Sequence, residues 1–162
     1  MRIAAVAFSL CCLVIAVAAQ EPGTKIPSVT FAPAGKVLVK PGGSASVQMD
    51  FRVGSDFHIN SNRPKSELLI PTVLKLDTAA PVSVASLKYP AGQDVAFPFA
   101  PGEKLSVYSG DFTIIAVVRA ASKATPGEYP VSGALRFQAC DRSACYPPRS
   151  IPVKFNVTVT SQ

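Results

Sequence analysis

Between Ser44 and Val53 the chain alternates without a slip, with Ala45, Val47, Met49, Phe51 and Val53 on one side and Ser44, Ser46, Gln48, Asp50 and Arg52 on the other. A period of two turns one set toward a core and the other toward water, so this stretch predicts a half-buried β-strand. The pattern returns at Ile151–Val159, where Ile151, Val153, Phe155, Val157 and Val159 face inward and Lys154, Asn156 and Thr158 face outward. It returns again at Tyr129–Cys140, where Leu135, Phe137 and Ala139 share one face and Ala134, Arg136, Gln138 and Cys140 share the other. That parity sets Cys140 with the polar residues and predicts that a partner can reach it. Shorter apolar stretches at Val29–Phe31, Val37–Val39, Phe57–Asn60, Thr72–Leu76, Val82–Leu87, Val107–Tyr108 and Phe112–Arg119 predict further strands. Turn signals such as Pro41-Gly42-Gly43 and Pro126-Gly127 separate them. None has the spacing of an amphipathic helix.

One stretch breaks the rhythm. Lys88 to Lys104 contains Tyr89-Pro90, Ala91-Gly92, Phe97-Pro98-Phe99 and Pro101-Gly102, a density of proline that predicts a loop lying outside the sheets. Long loops in small domains often serve function. The succession of short strands predicts an all-β fold, an immunoglobulin-like antiparallel β-sandwich forming one domain over residues 28–162.

The first residues have a different composition. Met1-Arg2 precedes an apolar run from Ile3 to Val17 and the small residues Ala18-Ala19. A single positive charge, a short apolar segment and small residues before a cut describe a secretory signal, whereas a spanning helix needs about 20 apolar residues. Residues 1–19 are therefore expected to be removed, leaving 20–27 as a flexible leader. Cys11 and Cys12 go with the signal. Leu10 is not the small residue that precedes a lipid-modified cysteine, and no later segment is apolar for long enough to span, so no stable membrane anchor is expected. The destination is the periplasm or the exterior.

A formal net charge of +6 is spread over isolated lysines and arginines. Nucleic-acid binding calls for a clustered basic stripe with interleaved aromatics, which is absent, so no nucleic-acid partner is expected. His58 is the sole histidine and lies far from the cysteines in sequence. No metal site of familiar spacing can be assembled from that set, no cofactor is implied, and no hydrolytic triad can be placed. A monomer is the expectation.

Cys140 and Cys145 then stand out as the cysteines that remain after export, in an environment where a disulfide can form. They fall where one predicted strand ends and its connection to the next begins, with Asp141 and Arg142 between them as exposed charges. Directly opposed, non-hydrogen-bonded positions of a hairpin have Cα atoms about 4.5 Å apart, at the short end of what a disulfide accepts, so a bridge there is expected to be strained and reducible. Closing so small a loop contributes only about 2 kcal/mol in the chain-entropy account. The pair suits redox exchange; a structural staple, within a non-catalytic β-sandwich binding module, is the alternative.

The block Ala139-Cys140-Asp141-Arg142-Ser143-Ala144-Cys145-Tyr146-Pro147-Pro148, followed by an alternating final strand, resembles the active-site hairpin of the DsbD N-terminal domain family, the periplasmic domain of a thiol:disulfide interchange protein. Ile70-Pro71-Thr72 with Leu74 and Leu76, Tyr89-Pro90 and Val107-Tyr108-Ser109-Gly110-Asp111-Phe112 follow in the family's order, so the resemblance covers nearly all of residues 20–162. It implies an immunoglobulin-like domain that passes reducing equivalents to or from thioredoxin-fold proteins, an activity of protein-disulfide reductase type. By the same resemblance Cys145 forms the mixed disulfide and Cys140 resolves it, with Tyr146 and Pro147 in support. A cap loop carrying an aromatic residue shields the pair in that family, which points to Phe97 or Phe99. The family's membrane electron-transport and thioredoxin-like domains have no counterpart in this sequence, so a membrane thiol transporter acting in trans is the expected electron source.

Overall fold

The computed structural model describes residues 26–161, and the expected signal and most of the leader lie outside them. Every regular element among the described residues is a strand: β1 (Val29–Phe31), β2 (Val37–Val39), β3 (Ser44–Val53), β4 (His58–Asn60), β5 (Val73–Thr78), β6 (Val82–Lys88), β7 (Gln93–Ala96), β8 (Lys104–Tyr108), β9 (Asp111–Ala120), β10 (Gly127–Phe137), β11 (Ala139–Cys140) and β12 (Arg149–Val159). They form three four-stranded sheets, ordered β1-β3-β9-β6, β2-β12-β10-β5 and β11-β4-β8-β7. The fold is an immunoglobulin-like β-sandwich, as the alternation predicts.

Its core follows from that alternation. Val47, Met49, Phe51 and Val53 of β3 are buried beside Phe112, Ile114, Ala116 and Val118 of the paired strand β9. Val131, Leu135 and Phe137 of β10 and Val153, Phe155, Val157 and Val159 of β12 come from the second sheet into the same cluster. Phe31, Phe51, Phe112 and Tyr108 form a continuous row of ring contacts at centroid distances of 5.3, 5.2 and 4.9 Å. Pro41-Gly42 turns the chain with Gly42 at φ 76°, which only a residue without Cβ adopts freely. Gly133 has a packing reason instead: a Cβ there would come within 2.0 Å of the Lys75 carbonyl oxygen on β5.

The structure corrects the sequence reading in three places. The proline-rich stretch from Lys88 to Lys104 is not wholly irregular, because Gln93–Ala96 forms β7 and pairs antiparallel with β8 at the edge of the third sheet. Pro90, Pro98 and Pro101 flank that strand, whereas Pro130 and Pro152 lie within β10 and β12. β2 joins β12 in parallel, so the sandwich is not uniformly antiparallel. Most important for the site, the predicted strand Tyr129–Cys140 stops at Phe137. β10 pairs with β12 as far as Phe137↔Arg149, and the intervening residues leave that sheet to join the third one through β11.

Candidate functional site

The excursion between β10 and β12 is a small hairpin of its own. Tyr146 N–H donates to the Ala139 carbonyl at 2.8 Å, and Asp141 N–H donates to the Ala144 carbonyl at 2.9 Å. Between these two bonds Cys140 and Cys145 face each other as a bridge pair. They occupy the non-hydrogen-bonded position, where opposed side chains come closest. A disulfide joins them, with Cα atoms 3.9 Å apart, shorter than the sequence-based expectation.

The turn is built on one carboxylate. Asp141 Oδ1 accepts from Ser143 N–H at 2.7 Å, Ser143 Oγ–H at 2.7 Å and Ala144 N–H at 2.9 Å, and its Oδ2 accepts from the Tyr146 hydroxyl at 2.8 Å. Those donors, led by the Ser143 amide, hold the carboxyl well below the usual carboxylate range. Asp141 is therefore a structural member of the hairpin and not the plain surface charge that its position in the sequence suggests. Its contribution to stability is complete above the ordinary carboxyl value of 3.8 and is lost as pH falls below that toward the folded-state value. Thermal unfolding followed from pH 6 to pH 2 should show the wild-type advantage over Asp141→Ala shrinking as the pH drops. A constant difference would contradict the assignment.

The two cysteines have opposite environments. Cys140 is fully buried, at 0% exposure, whereas Cys145 is exposed. The expectation that Cys140 is open to a partner is thus corrected. Its parity with Arg136 and Gln138 does not hold, because the chain breaks register after Phe137 and turns both Ala139 and Cys140 inward. Gln138 fills the break: its Nε2 donates to the Tyr146 carbonyl at 3.3 Å and its Oε1 accepts from Asn60 Nδ2 at 3.4 Å. Tyr146 is half-buried with its ring edge-on to Phe57 at 5.8 Å, and Pro147 is exposed beyond it.

Sequence reasoning set His58 aside as remote from the cysteines. The sheet brings it next to them, because β4 pairs with β11 in the register Cys140↔His58 and Ala139↔Ile59. His58 is buried at 5% exposure. Phe97 stacks on the imidazole at 4.0 Å and 18°, and Phe99 stacks on Phe97 at 5.3 Å. Both phenylalanines are partly buried and belong to the turn that follows β7, closed by Ala100 N–H to the Phe97 carbonyl at 3.0 Å. The signal available in the sequence is a lone histidine set between Phe57 and Ile59; the strand itself, His58–Asn60, has all three of its residues buried. Burial lowers the His58 pKa, and the negative charge of Asp141 works against that shift.

No protein-family profile and no curated protein matches the chain. Solved structures do. The N-terminal periplasmic domain of ScsB from Proteus mirabilis superposes with a TM-score of 0.51 at 12% identity over 84% of this chain and 48% of that one, so the chain spans about half of its length. The seventh ScaB type I cohesin from Pseudobacteroides cellulosolvens gives 0.50 at 14% identity, over 83% and 94% of the two chains. The reduced DsbD N-terminal domain of Neisseria meningitidis gives 0.43 at 20% identity, over 81% and 86%. The class defined by fold and site together is an immunoglobulin-like β-sandwich carrying a disulfide at the tip of a side hairpin. A periplasmic domain and a cohesin share that sandwich, so function has to be argued from the hairpin. Among the described residues no helix is long and apolar enough to cross a membrane.

Proposed function

We propose that this chain is an exported thiol–disulfide exchange domain acting through Cys140 and Cys145 on thioredoxin-fold partners. The observation that carries the proposal is the asymmetry of the pair, with one half open to a partner and the other enclosed. A staple needs no such difference. An exchange reaction does, because attack is productive when one sulfur can be reached and the other leaves or returns within the protein.

The electrons balance as follows. A partner thiolate attacks Cys145 Sγ, the intramolecular S–S bond breaks, and its electron pair leaves on Cys140 Sγ, which takes a proton. The partner's second thiolate attacks its own sulfur in the mixed disulfide and releases Cys145 as thiolate. The partner dithiol is now oxidised and this chain is reduced by two electrons. In the opposite direction Cys145 attacks a partner disulfide and Cys140 resolves the intermediate by attacking Cys145 Sγ. Phe97 and Phe99 stack on His58, the residue paired with Cys140, and the turn that carries them is the proposed cap of the pair. Tyr146 and Pro147 hold the exit of the hairpin, and the signal-like apolar run within residues 1–19 supports a periplasmic or secreted site of action. A membrane thiol transporter is the proposed donor in trans.

The test uses the oxidised chain with a reduced thioredoxin-type protein, followed by alkylation and mass measurement. After an acid quench and denaturation, both Cys140 and Cys145 should be alkylated, at times when equal thiol as dithiothreitol has opened less of the disulfide. A disulfide that dithiothreitol opens but a thioredoxin-type protein does not would sink the proposal and leave a staple.

A further inference from the structure

Release of Cys140 creates a problem that the fold has to solve. The sulfur leaves as an anion where no part of the residue touches solvent. An isolated charge in such surroundings is costly, so its proton has to come and go through a neighbouring group.

His58 occupies the directly opposed position on β4. Opposed residues of an antiparallel pair project from the same face with Cβ atoms about 5.5 Å apart or closer, within reach of an imidazole and a thiol. Its Nε2 is buried without a hydrogen-bond partner among the described residues. Unsatisfied buried polar atoms are uncommon and call for an explanation. The ring is held in place by the Phe97 stack. We propose that His58 is the proton relay of the exchange, taking the proton from Cys140 Sγ–H when that sulfur attacks and returning one when it leaves. The proposal rests on the exchange reading above.

The steps close without a further reagent. During resolution Nε2 accepts the Cys140 thiol proton and Cys140 Sγ attacks Cys145 Sγ. The partner departs as thiolate, and the imidazolium releases its proton to water. When Cys145 is attacked instead, an imidazolium formed by uptake of a solvent proton protonates the departing Cys140 sulfur. The groups around the ring favour the neutral base at rest. Asp141 faces it from the hairpin turn as the one charge that raises its pKa, and burial outweighs that charge. Phe97 and Phe99 carry no charge. On β8, Tyr108 lies opposite Ile59 and commits its hydroxyl to Asn62 Oδ1 at 2.7 Å and the Pro90 carbonyl at 3.1 Å. Asp56 precedes the strand in its entry turn.

The experiment mixes the reduced chain with an aromatic disulfide that releases a coloured thiolate, across pH 5 to 9. The first release reports attack by Cys145, and the second reports resolution by Cys140. In the wild type the second rate should level off above the His58 pKa, which lies below the ordinary 6.5. In His58→Phe, which keeps a ring against Phe97, the ratio of second to first rate should fall at least about tenfold at pH 7, and the second rate should climb with pH as an unassisted thiol does. His58→Gln should show the same loss and carries the test if the phenylalanine variant does not fold. A second phase indifferent to both substitutions overturns the relay alone. A wild type with no second phase overturns the exchange reading with it.

Discussion

Replacing Cys145 with alanine should abolish exchange with thioredoxin-type dithiols while leaving the sandwich folded. The remaining thiol, Cys140, is fully enclosed beside His58, so a partner the size of a protein has no sulfur to reach. Dithiol oxidation should fall to the protein-free rate. The stability cost should be small by comparison. Cys140 and Cys145 are separated by five positions, and closing a loop of that size is worth about 2 kcal/mol in the chain-entropy account. The sandwich core does not depend on it: Phe51, Phe137, Leu135 and Val153 are buried by residues of β3, β9, β10 and β12. Circular dichroism should show the same β-sheet spectrum, with a modestly lower Tm. A collapse of the fold would mean that the bridge is structural.

The second large effect concerns stability and should be the reverse of the first. Phe51→Ala should cost about 3–5 kcal/mol, the range for truncating a buried phenylalanine. Phe51 is 2% exposed and touches Phe31 on one side and Phe112 on the other, so its loss opens the middle of the aromatic row and not merely its end. Denaturant unfolding should show the loss with an unchanged slope, and Tm should drop by on the order of 10 °C. The hairpin lies on a different sheet, so the folded fraction should still exchange. A loss below 1 kcal/mol would mean that the row repacks around the gap.

The sandwich was legible because its long strands each bury one face. Ser44–Val53 and Ile151–Val159 carry alternation over a whole strand, and even the three-residue strands Val29–Phe31 and Val37–Val39 were bounded by turn residues that mark their ends. β7 was hidden because the prolines around Gln93–Ala96 argue against a sheet while leaving room for a four-residue edge strand. The break after Phe137 was hidden for a subtler reason. Leu135, Phe137 and Ala139 continue the inward parity straight through it, so nothing local announces that Cys140 also turns inward. What turns it is pairing with β4, far away in the chain, and single-sequence periodicity carries no information about such partners. The same non-local pairing concealed His58. The cysteines and their hairpin could be found from composition and spacing, whereas which sulfur is enclosed, and what stands against it, required the sheet.

The most direct measurement takes the two single-cysteine variants, Cys140→Ala and Cys145→Ala, and incubates each with an oxidised thioredoxin-type protein before non-reducing electrophoresis and mass spectrometry. Cys140→Ala keeps the exposed thiol and removes the resolving one, so it should accumulate a mixed disulfide through Cys145. Cys145→Ala should trap none. Equal trapping by both variants, or by neither, would contradict a division of labour between an open and an enclosed sulfur.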